Sequence, residues 1–71
     1  MYVVVEIQTT GGVTTQITTV EQNRDTAEQK FHTILSYAAV SNVEIHSAVI
    51  LNPEGQKIKS ECYKHEQAGE Q

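Results

Sequence analysis

The 71-residue chain holds one cysteine, one proline and no tryptophan, and each scarcity removes an option. Cys62 has no second thiol to close an internal disulfide or to share a paired-cysteine zinc clip. No apolar run approaches the ~20 residues a membrane helix needs. The N-terminus also lacks the basic-then-apolar layout of a secretion signal. The expectation is a soluble, cytoplasmic protein without a membrane partner. Basic residues are short as well: five against nine acids, a net charge of −4. That balance disfavours a polynucleotide partner, because phosphate-backbone binding works through Lys and Arg. The length allows one domain. A chain this short hides only about 60% of its unfolded surface, so without a staple a partner surface is expected to add burial.

What is present is strand-forming. Residues 2–9 are β-branched and nearly continuous, as in a central strand, and Gly11-Gly12 supplies a tight reversal. Residues 13–20 make a second strand whose Thr and Gln suit a sheet edge. A three-residue loop, Thr10-Gly11-Gly12, would pair Val5 with Ile17; a two-residue Gly-Gly loop would slip that register by one. The three-residue form is the expectation. Asp25 as N-cap, with Glu28 completing a capping box, opens a helix running to about Val40. Ala27, Phe31, Ile34, Leu35 and Ala38 recur on it as one apolar stripe. A third strand spans 43–51, Asn52-Pro53-Glu54-Gly55 makes a turn, and a fourth strand spans 56–63.

The fold expected is α+β: a two-layer ββαββ sandwich with an antiparallel sheet of order 2-1-3-4 and one helix on one face. Residues 1–65 form that single domain, and residues 66–71 form a frayed polar tail. The more apolar strand set, including Val43, Ile45, Val49 and Leu51, is taken as the helix-covered side. The second hairpin would then pair Val49 with Ile58, Ile45 with Cys62, His46 with Glu61 and Glu44 with Tyr63. On the open side Tyr2, Val4, His46, Ala48, Ile50 and Tyr63 make an apolar centre with a polar rim. Such a face marks a contact surface, and those six residues are the expected interface; the edge strand 13–20, which can accept a partner strand, is the alternative docking surface. A two-fold homodimer is the commonest outcome for a small chain, so self-association is the first partner expected.

Three histidines and a cysteine, His32, His46, His65 and Cys62, invite a metal. The expected strand phase puts Cys62 and His46 on opposite sides of the sheet, too far apart for one ion at about 2.1–2.3 Å, so no metal or other cofactor is expected. A His46–Glu61 pair could orient an imidazole, but no nucleophile motif, phosphate loop or enclosing pocket accompanies it. The expected reading is therefore a non-enzymatic protein. The competing reading is a small anionic, nucleotide-like ligand held at a subunit seam, with His46, Lys59, Glu61 and Tyr63 as contacts.

Glu6-Ile7-Gln8-Thr9, Ala27-Glu28-Gln29-Lys30-Phe31-His32, Ala38-Ala39-Val40-Ser41, His46-Ser47 and Glu61-Cys62-Tyr63-Lys64-His65 together span most of the chain. In these stretches the sequence resembles short uncharacterised proteins carried by phages and prophages of Gram-positive bacteria. The resemblance carries no functional residue across. It implies a setting, in which a small acidic protein binds a host protein or a signalling molecule to blunt defence or redirect regulation.

Overall fold

The computed structural model describes residues 1–65; the expectation of a frayed tail over 66–71 lies outside them. Strands β1 (Tyr2–Thr10) and β2 (Val13–Glu21) are followed by helix α1 (Arg24–Ala38) and then by β3 (Ile45–Leu51) and β4 (Lys57–Lys64). The sheet order is β2-β1-β3-β4 with every neighbour antiparallel. With one helix laid on one side, this is the two-layer α+β sandwich that the strand and helix periodicities predict.

The first turn differs from expectation. Gly11 and Gly12 both have positive φ, 59° and 80°, which makes a two-residue turn of the type whose twist matches the flanking strands. Thr10 therefore faces Val13, and Ile17 faces Glu6 rather than Val5. The second hairpin is also longer than a four-residue turn. Asn52 Oδ1 accepts hydrogen bonds from the backbone N–H groups of Glu54 (3.0 Å) and Gln56 (2.8 Å), holding a five-residue loop. Ile50 then faces Lys59, and the register shifts before Leu51 faces Lys57, so Ile58 is the extra residue of a bulge. Tyr63 lies opposite His46, Cys62 opposite Ser47 and Glu61 opposite Ala48, which replaces all four pairs expected across this hairpin.

The N-cap lies two residues before the expected Asp25. Asn23, in extended conformation, is the N-cap and accepts from the Thr26 N–H at 2.9 Å through Oδ1. Asp25 sits in the first turn instead, where the helix dipole still favours its charge. At the other end His65 Nε2 lies 2.7 Å from the Ala38 carbonyl oxygen and satisfies one of the carbonyls that the last turn leaves open.

The apolar stripe of α1 buries Ala27, Phe31, Ile34 and Ala38. What it packs against is Val4, Ala48 and Ile50, with Tyr2, Leu35 and Ile58 at the margins. The side of the sheet expected to be open is thus the covered one. Val4, Ala48 and Ile50 are 0%, 1% and 0% exposed, and they form the core rather than an interface.

Candidate functional site

Side chains alternate across a strand, so the burial of Val4, Ala48 and Ile50 beneath α1 sends their neighbours to the other side. That bare face carries Val3, Val5 and Ile7 from β1 and Ile45, Val49 and Leu51 from β3. Val5 and Val49 face each other at its centre, and Val3 faces Leu51. Val20 of edge strand β2 extends the patch beside Val3 and is 54% exposed. The six central residues are only half-buried, screened by one another and, among the described residues, by no second layer. Met1, Val3, Val20, Leu51 and Pro53 line an apolar depression at one end of the patch. Cys62 lies on β4 opposite Ser47, so it belongs to this same face and is exposed, not in the core as its expected strand phase implied.

The residues expected to form the interface are therefore redistributed. Tyr2 packs against the core edge, Val4, Ala48 and Ile50 are inside it, and His46 is 4% exposed. Tyr63, 36% exposed, remains at the surface on the helix side. His46 does not pair with Glu61. Its Nε2 lies 2.6 Å from Glu6 Oε2, and Gln8 Nε2 donates to the same carboxylate oxygen at 2.9 Å. On the other ring nitrogen, Nδ1 lies 3.2 Å from Ser41 Oγ. Nothing in the local spacing flags Glu6 or Ser41 as partners of His46. They meet only because β1 and β3 pair and the α1–β3 connection folds down over the sheet.

A hydroxyl, an imidazole and a carboxylate in series have the outline of an activated nucleophile. The surroundings do not complete it. His46 is enclosed, Ser41 Oγ is engaged by the Val43 N–H at 3.3 Å, and none of the three described depressions is lined by Ser41, His46 or Glu6. The arrangement acts as a polar clamp: it ties the segment after α1 to the sheet and leaves no described buried side-chain polar atom unpartnered. Among the described residues no three His, Cys, Asp or Glu side chains converge as metal ligands would.

Lys59, Glu61 and Tyr63, three of the four residues expected to touch a ligand, do come together on the helix side. With Phe31, His32 and Leu35 they line a shallow depression of about 440 Å³ between α1 and β4. His46, the fourth, is sealed away in the clamp. Lys59 Nζ donates to Glu28 Oε1 at 2.8 Å, and Arg24 Nε approaches the other oxygen of that carboxylate at 3.3 Å. The Lys59 hydrogen bond is the main reason the Glu28 carboxyl titrates below the usual carboxylate range; partial desolvation opposes it and Arg24 reinforces it.

No family model, curated protein or solved structure matches the chain. No described helix is long and apolar enough to cross a membrane.

Proposed function

We propose that the protein is a small non-enzymatic interaction protein that works by packing its bare sheet face on another protein surface. One observation carries this: six of the β-branched and aliphatic residues of β1 and β3 (Val3, Val5, Ile7, Ile45, Val49 and Leu51) lie on the side of the sheet that no described helix covers. The covered side is filled by Val4, Ala48, Ile50 and a polar clamp. Strands of about eight residues and four strands across give a face of roughly 27 by 19 Å. That is the right size for the dry centre of a standard interface burying about 800 Å² per partner. The first partner this chemistry admits is a second copy, packed sheet to sheet. The resemblance to phage-encoded proteins adds a setting in the host cytoplasm, where the same face would engage a host protein of defence or regulation.

Light scattering tests the reading. Val5→Lys and Val49→Lys place a cation at the centre of the face without touching the core, and each is expected to reduce association while leaving the circular dichroism spectrum unchanged. Normal association of both variants would exclude this face as the contact.

A second reading, a small anionic ligand, is supported by the convergence of Lys59 and Tyr63 in the depression beside Phe31. An anion there has to compete with Glu28 for Lys59. Thermal shift against nucleoside mono-, di- and triphosphates reads it directly, since a ligand at one hundred times its Kd adds about 2.7 kcal/mol. Lys59→Ala is expected to abolish any such shift.

A further inference from the structure

The two edges of the sheet are built differently. On β4 the edge carries Lys57, Lys59 and Lys64 and is bent by the bulge at Ile58, the usual devices that stop a strand from pairing onward. On β2 neither device is present. Its nine residues contain no lysine, no proline and no bulge, and a single charge at the last position, Glu21. Val13, Ile17 and Val20 are 64%, 56% and 54% exposed along it.

The turn type determines which backbone groups of β2 are free. A two-residue turn makes Thr10·Val13 a narrow, doubly hydrogen-bonded pair, and narrow pairs then recur at every second residue. Val13, Thr15, Ile17, Thr19 and Glu21 are thereby bonded to β1, and Thr14, Gln16, Thr18 and Val20 direct their N–H and C=O groups outward.

We infer that β2 is a homodimer edge: it pairs antiparallel with β2 of a second copy about a two-fold axis at Ile17, making one continuous eight-stranded sheet. This extends the reading of the protein as an interaction module but uses a surface separate from the bare face. In this register Ile17 meets its own symmetry mate, Thr15 faces Thr19, Gln16 faces Thr18, Thr14 faces Val20 and Val13 faces Glu21. Each facing pair is compatible, no like charges oppose one another, and the outward groups at 14, 16, 18 and 20 become four narrow pairs carrying about eight hydrogen bonds. A strand of unrelated sequence would satisfy the same backbone groups, but Ile17 would not be matched across the axis. The helices do not obstruct the pairing. Each α1 lies over β1 and β3, so two copies place their helices about 19 Å apart, four strand spacings, against a helix diameter of about 10–12 Å. Both helices then stand on one side, and the two bare faces join on the other.

The test uses proline at an outward position. In Thr18→Pro the lost N–H is one that β1 does not use, so the fold is retained and only the edge is blocked. With one donor lost per copy, two in all, the dimer Kd measured by analytical ultracentrifugation is expected to rise about 10- to 100-fold. A crosslink checks the register independently of folding. With Cys62→Ser as background, Ile17→Cys is expected to form a disulfide-linked dimer under mild oxidation. Thr15→Cys, whose own mate lies about 13 Å away along the strand, is expected not to. A strictly monomeric protein, or a dimer indifferent to Thr18→Pro with no crosslink at position 17, would overturn the inference. Loss of association in Val49→Lys but not in Thr18→Pro would remove the edge and leave the bare face standing; the reverse pattern would keep the edge and remove the face.

Discussion

Neighbouring residues of β3 provide the sharpest check on which side of the sheet is the core. Ile50 is fully buried against Val4, Phe31, Ile34 and Ala48, whereas Val49, one residue earlier, stands half-buried on the bare face. Ile50→Ala removes three carbons from a closed site, where large-to-small changes cost about 2–5 kcal/mol. A 71-residue domain holds only about 4–10 kcal/mol in total at 0.05–0.15 kcal/mol per residue. Ile50→Ala is therefore expected to lose about a fifth of the stability at the least and most of it at the upper end of that cost. Val49→Ala gives up two methyl groups already partly in water and is expected to cost less than about 1 kcal/mol. Urea denaturation followed by circular dichroism separates the two. With a slope near 1 kcal/mol/M for so short a chain, the midpoint should fall by about 2 M or more for Ile50→Ala and by less than about 1 M for Val49→Ala. The measurement belongs at low micromolar concentration, so that any contribution of Val49 to self-association stays out of the difference. Equal losses from the two substitutions, or a larger one from Val49→Ala, would refute the assignment of the core.

Other substitutions probe the polar features. Glu6→Leu strands the buried His46 imidazole and should cost about 1–3 kcal/mol, while Glu6→Leu combined with His46→Leu should recover part of that loss; equal stability of single and double variants would dissolve the clamp. The Glu28 carboxyl is depressed in the folded state, so its stabilising contribution is present above the unfolded carboxylate range and is lost as pH falls below about 4.5. The melting-temperature advantage of the wild type over Glu28→Gln is accordingly expected to shrink between about pH 6 and pH 3, and a constant difference would mean that the pair with Lys59 is not formed. Gly12 sits at φ 80°, where a β-branched side chain is strained whatever the room around it, so Gly12→Val is expected to lower the urea midpoint more than Thr14→Val does.

The elements themselves are legible in the sequence because each follows from a local rule. β-Branched runs, the Gly-Gly reversal, the 3.6-residue stripe and Asn-Pro-Glu-Gly locate four strands and a helix to within a residue or two, and short connections between antiparallel neighbours order the sheet. Capping is less legible: Asn23 and Asp25 are both good N-caps, and the choice between them rests on which one the chain leaves extended. Registers are less legible still. Whether Gly11-Gly12 closes with two residues or three, and whether Asn52 holds a four- or five-residue loop, depends on side-chain to backbone hydrogen bonds that composition does not reveal. The clamp is invisible for a related reason, since Glu6 and His46 are forty residues apart and meet through β1–β3 pairing alone.

The side on which the helix lies comes from chirality, and there an apolar count misleads. β2 and β3 both run antiparallel to β1, so they are parallel to each other, and α1 joins them across β1. Parallel strands joined across a helix follow a right-handed path in about 98% of cases. On that path, the residues of β2 that bond to β1 are the ones whose side chains point toward the helix. A two-residue turn makes those residues Ile17 and Thr19, and their partners Glu6 and Val4 come to lie beneath α1 with them. Turn length and handedness therefore place Val4, Ala48 and Ile50 in the core, and they do so against the hydrophobicity of the two faces. A monomer free to choose would have covered Val3, Val5, Ile7, Val49 and Leu51, and this chain cannot do so without a left-handed crossover or a different turn. The apolar surplus on the bare face is what topology leaves uncovered by the described residues, and it is the surface on which the proposed partner would pack.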